Sequence, residues 1–309
     1  MHIKFFFSSV VVLLTANIIS CSKEQNNSVR NTNVNSTGSG ESAVIPAVCD
    51  QFKYPDSIFY AAELPGDYEV KPVNKLNGTF GAYPDGLDID PFTGELEIGE
   101  SETGLKYLVW FVPAGTKDTC KKFITISGVN YPDSIYSIKN NSGMATPVYN
   151  ASLAQQISCS GTCEFDDGHD DDDGDGFADE PPLGQEVIPQ GVSLDKGTGS
   201  INLRQSIKNG ALGVSPKSGA FKDFILNYRL SDRSSKALNR TTLRIYYYKT
   251  HGEIPALLKK DLATKQGFVI LNNATDPYKV PYTVKKDNSG SGKEREVKCR
   301  PPYIIVVQS

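Results

Sequence analysis

The chain has 309 residues, 39% hydrophobic and 22% charged, enough apolar content for packed cores and too much for disorder throughout. Its 15 Tyr and 14 Phe, against one Trp and two Met, with 27 Gly and 18 Pro, favour strands and turns over helix bundles. Three histidines, His2, His169 and His251, exclude a His-rich metal centre, and a net charge of −4 hides an asymmetry along the chain. Residues 45–158 carry 8 basic and 14 acidic side chains, 159–182 carry 0 and 10, and 183–309 carry 21 and 10. The basic residues of the last part are scattered, which reads as a solvated surface and not as a nucleic-acid footprint.

Met1 to Lys4 form a short basic start, and Phe5 to Ile19 an apolar stretch. That length fits a secretory signal over 1–20 and falls short of the ~20 residues of a membrane-spanning helix. Ile18-Ile19-Ser20-Cys21 resembles a bacterial lipobox, in which the cysteine thiol is alkylated by diacylglycerol before cleavage in front of it. The resemblance implies lipidation of Cys21, and the acyl chains would hold a soluble body on a bilayer. Ser22, where an Asp would resemble an inner-membrane retention signal, favours outer-membrane sorting, periplasmic or surface-exposed. Ser22-Lys23-Glu24 is similar to the charged export signals of Bacteroidota lipoproteins. From Ser22 to Ala43, 14 of 22 residues are Asn, Ser, Thr or Gly, so 21–44 reads as a lipidated Cys and a flexible tether. Its reach is on the order of 25 Å.

The body, 45–158 and 183–309, contains a repeat. Pro84-Asp85-Gly86-Leu87-Asp88-Ile89-Asp90-Pro91-Phe92-Thr93-Gly94-Glu95-Leu96-Glu97-Ile98 aligns without a gap on Pro189 to Leu203, at an offset of 105. Pro, Gly, Asp, Thr and Gly are identical, and Leu87/Val192, Ile89/Leu194, Leu96/Ile201 and Ile98/Leu203 are apolar in both. Apolar residues at i and i+2 on each side of a Thr-Gly turn describe a hairpin with one buried face. The pattern resembles the bacterial immunoglobulin-like (cadherin-like) surface repeats, with their Pro-x-Gly-Leu-x-(Ile/Leu)-(Asp/Asn)-x-x-Thr-Gly-x-(Ile/Leu) signature. That resemblance implies two tandem immunoglobulin-like β-sandwiches used for spacing, adhesion or display, and it brings no catalytic residues.

Strands are expected over 106–112 and 122–126 in the first copy, and over 223–228 and 242–248 in the second, which also has an insertion from Asn209 to Gly219. Beyond Tyr248, Ile254 to Leu262 reads as a short helix with Pro255 in its first turn, and 268–271 and 303–307 as buried strands. The extension is expected to complete the second domain. The fold class is mainly all-β.

Residues 159–182 read as an acidic linker between the domains. Glu164 to Glu180 holds ten carboxylates in seventeen residues. Asp171, Asp173, Asp175 and Asp179 fall at positions 1, 3, 5 and 9 of an EF-hand-type loop, with Gly176 at 6 and Phe177 at 7, where the ligand is a backbone carbonyl. The strip is also similar to the calcium loops of thrombospondin type 3 modules. Position 12 is Pro182 where a bidentate Glu would stand, so calcium binding, which would stiffen the junction between the two domains, is expected to be weak. Without a metal, the strip is an acidic spacer, with His169 on its solvated face.

Five cysteines remain besides Cys21. Cys49 and Cys120 are a plausible staple of the first sandwich, while Cys159 and Cys163 either bridge locally or one of them reaches Cys299. Tyr54-Pro55-Asp56-Ser57-Ile58 recurs as Tyr131-Pro132-Asp133-Ser134-Ile135. Its Asp-Ser-Ile resembles the Bacteroidota O-glycosylation motif, which would place a glycan on Ser57 or Ser134; otherwise each is a turn with Pro in second place. The functional expectation is a non-enzymatic lipoprotein anchored through its lipid, with a protein or glycan ligand at the cell surface and no nucleic acid. The alternative is an accessory glycan-binding subunit or an exported glycoside hydrolase with paired carboxylates, which sequence alone does not single out.

Overall fold

Long runs of β-branched and aromatic residues bounded by Gly and Pro give strands, and the strands of each half pair around one buried layer of rings. The computed structural model describes residues 46–61, 68–84, 86–139, 143–152, 159, 163–166, 186–266, 275–280 and 301–309. All of them fall within one unit, residues 40–309. The expected signal peptide, Cys21 and tether lie outside the described residues, as do Asp171, Asp173, Asp175, Phe177, Asp179 and Cys299.

The first sandwich is built from β1 (Ile58–Phe59), β2 (Glu69–Val70), β3 (Gly78–Tyr83), β4 (Asp88–Ile89), β5 (Leu96–Glu97), β6 (Leu105–Pro113) and β7 (Cys120–Ile126). One sheet has the order β1-β7-β6-β3 and the other β2-β5-β4. Only β1 runs parallel to its neighbour. Phe52, Phe80, Leu96, Tyr107, Phe111 and Ile124 fill the space between the sheets. Phe80 and Phe111 lie with ring centroids 4.7 Å apart.

A short connector, β8 (Val129–Asn130), leads to β9 (Ser134–Ser137), β10 (Met144–Ala145), β11 (Val148–Tyr149), β12 (Glu164–Phe165), β13 (Ile201–Asn202), β14 (Ala220–Arg229), β15 (Asn239–Tyr248) and β16 (Tyr303–Val307). The main sheet of the second half has the order β12-β14-β15-β16-β9. Opposite it, β10 pairs with β13, and Leu194 bridges Ile201. Tyr131, Phe165, Ile201, Phe224, Tyr228 and Ile304 form its core. The chain is thus mainly all-β, two tandem sandwiches, with α1 (Leu203–Lys208) and α2 (Ala256–Gln266) as its α-helices among the described residues.

The strands place the domains differently from the sequence reading in two respects. Residues 134–137 and 144–145, assigned above to the first domain, pair with β16 and β13 of the second. The divide therefore falls near Gly128, because Val129 and Tyr131 are the first side chains buried in the second core, with Val148 returning to the first. The acidic strip is also not a link between domains. Phe165 before it and Val187 after it are buried in the same second core. The two Asp166 carboxylate oxygens accept the amides of Val187 and Ile188 at 2.6 and 2.9 Å, closing the base of an insertion.

The extension after Tyr248 does more than complete the second domain. β16 lies parallel between β9 and β15, where the first sandwich has β1 directly beside β7. Ahead of β16 in the chain, Tyr278 reaches the first domain, its hydroxyl accepting the Lys121 amide at 3.2 Å. The expected helix starts at Ala256 instead of Ile254. The second copy also departs from hairpin geometry after Asn202, whose side chain accepts the Gln205 amide and caps α1.

Candidate functional site

The aligned segments fold into the same turn twice. Ile89 pairs with Leu96, and Leu194 with Ile201 at the equivalent positions. The Asp90 carboxylate accepts the amides of Phe92 and Thr93 at 2.8 and 2.7 Å; that of Asp195 accepts Gly197 and Thr198 at 3.0 and 2.8 Å. Gly94 and Gly199 take φ of 72° and 68°, where a side chain is strained. A Cβ there would stand 2.7 Å from the Phe80 ring in one copy and 2.6 Å from the Phe165 ring in the other. The hydroxyls of Tyr54 and Tyr131 each donate to the carbonyl of that glycine at 2.5 Å. The repeated Tyr-Pro-Asp-Ser-Ile motif is therefore the entrance to each sandwich, its Tyr locked on the turn and its Ile in the parallel strand.

The two motif serines differ in access. Ser57 is exposed, whereas Ser134 is half-buried in β9 opposite Ile304. The Asp133 carboxylate accepts the Tyr303 amide at 2.5 Å, so the second motif fastens the final strand.

The two sandwiches meet through buried polar groups. The Tyr228 hydroxyl lies 2.6 Å from Thr103 Oγ1 and accepts the Val129 amide at 3.0 Å. Burial pushes its pKa far up, so it stays a neutral phenol. A Cβ at Gly128, whose φ is 136°, would fall 2.4 Å from that hydroxyl oxygen. Beside it, the Asp232 carboxylate accepts the Tyr149 hydroxyl at 2.8 Å and the Ser127 hydroxyl at 3.2 Å. Burial, with Asp232 adding to it, pushes Tyr149 up to about 12. Arg240 and Glu100 bridge the rim through two 3.0 Å contacts.

The outer face of the second sheet is the region with recognition chemistry. Strand alternation turns Phe221, Asp223 and Ile225 of β14, and Arg244 and Tyr246 of β15, away from the core. Phe221 is 55% exposed. Its ring centroid lies 5.3 Å from that of Tyr246, which stands 5.3 Å from Tyr303, edge on. The Arg244 guanidinium sits 4.9 Å from the Phe221 ring and 5.8 Å from that of Tyr303. It grips Asp223 with two bonds, at 2.6 and 2.7 Å. Tyr248, which alternation places on the same face, is covered with Ile254, Leu262 and Ile305. Phe221, Tyr246 and Tyr303 lie on three different strands, and register across three strands is not written in any one of them.

Cys49 and Cys120 form a disulfide, as do Cys159 and Cys163. Among the described residues, no three His, Cys, Asp or Glu side chains gather closely enough to share a metal ion. No described helix is long and apolar enough to cross a membrane.

No protein-family model matches the chain, and no curated protein matches it. Among solved structures it is similar to the first two extracellular repeats (EC1-2) of human protocadherin-24 at 9% identity, covering 64% of this chain and 97% of that one with a TM-score of 0.19. It is also similar to extracellular domains 3–5 of Drosophila OTK at 12% identity, covering 63% and 61% with a TM-score of 0.18.

Proposed function

We propose that this chain is a non-enzymatic surface lipoprotein, held on the outer membrane through Cys21, whose two sandwiches display a binding face. The observation that carries the reading is the outer face of the second sheet, where Phe221, Tyr246 and Tyr303 stand in a row with the Arg244–Asp223 pair among them. An exposed Phe221 ring with the half-buried Tyr246 and Tyr303 beside it fits an interaction surface. The two disulfides suit an oxidising compartment. Detergent-phase partitioning and surface proteolysis of intact cells test the anchoring. The wild type should enter the detergent phase and be trimmed from outside, and Cys21→Ala should do neither. Equal partitioning of both would overturn it.

A glycan ligand is the second reading, favoured by the same rings. A pyranose presents an apolar face to an aromatic plane and hydroxyls to a planar polar pair such as Arg244–Asp223. A glycan array decides it: binding that Phe221→Ala and Tyr246→Ala abolish supports a glycan, and no binding restricts the face to protein ligands or display. Calcium at Asp171, Asp173, Asp175 and Asp179 belongs to the same proposal. Since the base of the strip is tied by Asp166, it would order an insertion of the second domain and not the joint. Titration calorimetry of wild type and Asp173→Ala/Asp175→Ala against calcium tests it, with heat expected only from the wild type.

A further inference from the structure

In the first sandwich β6 is paired on both sides, with β7 along one and with the six residues of β3 along the other. In the second, β15 pairs with β14 over nine positions, but β12 meets only Tyr228 and Arg229 on the far side. The chain turns out of the sheet at Asp166, whose φ is 59°, after its amide has bonded the Asn227 carbonyl at 2.9 Å. In an antiparallel strand, the N–H and C=O of one residue point to the same side and alternate with those of the next. Since Asn227 bonds towards β12, Phe221, Asp223 and Ile225 face that way too. Among the described residues, their backbone groups have no partner on that side. A free edge of this kind is a template for another strand.

We infer that this edge pairs with the same edge of a second copy of the chain, antiparallel about a two-fold axis at Asp223. The sequence of the edge is self-complementary in that register. Phe221 falls opposite Ile225 of the second copy, and both are exposed apolar side chains at 55% and 38%. Lys222 falls opposite Phe224, repeating the contact it already makes within one chain, where its ammonium lies 4.8 Å from that ring. Asp223 falls opposite itself, a juxtaposition that normally repels. Here each carboxylate is already held by two bonds from its own Arg244. Three facing residue pairs can then each exchange two backbone hydrogen bonds. Two five-stranded sheets become one of ten strands, with the two aromatic faces side by side. An isologous contact of this kind closes on itself and stops at two copies.

Sedimentation velocity of the full chain in mild detergent tests the inference. A concentration-dependent dimer should form within the micromolar range, up to about 100 µM. Phe221→Lys and Ile225→Lys should each weaken it at least tenfold, through edge charge. Val73→Lys, at an exposed apolar position in the first domain, should leave it intact. Near-ultraviolet circular dichroism should show all three variants folded. A wild type that stays monomeric throughout, or a dimer unaffected by both edge substitutions, would overturn the inference. So would a monomer whose edge is instead occupied by an added extended peptide. None of these readouts depends on lipidation or on glycan binding.

Discussion

In the first sandwich the strand carrying Phe80 continues beside β6 to Tyr83, and the chain reaches Gly86 three residues later. In the second, the chain leaves β14 one residue after Phe165 and reaches the matching Gly191 only after the acidic strip. Both rings lie over the same turn glycine, and both tyrosines of the entrance motif bond that glycine's carbonyl. The shared part is the packing that any such sandwich needs. The divergent part strips one strand edge and leaves the Phe221 ring exposed on it. An insertion tied at its base changes what the neighbouring strand presents without disturbing the core below it.

The largest expected contrast lies in the disulfides. Cys49–Cys120 closes a loop with a sequence separation of 71, and Cys159–Cys163 one of 4. Loop-closure entropy gives about 4 kcal/mol for the first and about 2 kcal/mol for the second. Denaturant melts of Cys49→Ser/Cys120→Ser and Cys159→Ser/Cys163→Ser should show that order, and equal losses would break it. Next come the turn glycines. Gly94→Ala and Gly199→Ala should each cost about 3 kcal/mol, combining left-handed strain with overpacking on Phe80 or Phe165. Losses of similar size in both would confirm that the two turns are mechanically the same.

Tyr228→Phe removes one hydroxyl from the joint and leaves the Val129 amide and Thr103 without that partner, at a cost of about 2 kcal/mol. Small-angle scattering should then show a broader distribution of interdomain distances, whereas turn variants should not. The Thr198 hydroxyl and amide hold the Asp195 carboxyl below its usual pKa. A lowered folded-state pKa gives stability that is present above the unfolded value and is lost as pH falls through the folded one. The wild type should therefore melt above Asp195→Asn at pH 7, with the gap closing in acid. Because that carboxylate is exposed, the gap should be small. Arg240→Ala should cost least, about 0.5 kcal/mol, since Arg240 and Glu100 are both exposed at the rim.

Much of the fold was legible in the sequence where the cause is local. The 105-residue offset carries the turn because Asp, Thr and Gly each act on backbone groups within four residues. The role of the Tyr-Pro-Asp-Ser-Ile motif was not legible, because Tyr54 and Tyr131 bond glycines 40 and 68 positions away. Asp166 was read as one more acidic residue of the strip, since nothing nearby in sequence shows that it ties down Val187. The strand insertion of β16 between β9 and β15 is equally non-local. The aromatic face failed for the same reason, its members lying on three strands.

Residue-resolved amide hydrogen exchange, measured at high dilution, tests the contrast between the two sheets most directly. Along residues 108–111 of β6, paired with β3 on one side and β7 on the other, the strand amides should exchange slowly without alternation. Along β14, Lys222, Phe224 and Leu226 should be protected by β15, while Phe221, Asp223 and Ile225 exchange fast. Uniform slow exchange along β14 in the dilute monomer would contradict the account, since it would mean that the edge is already paired within one chain.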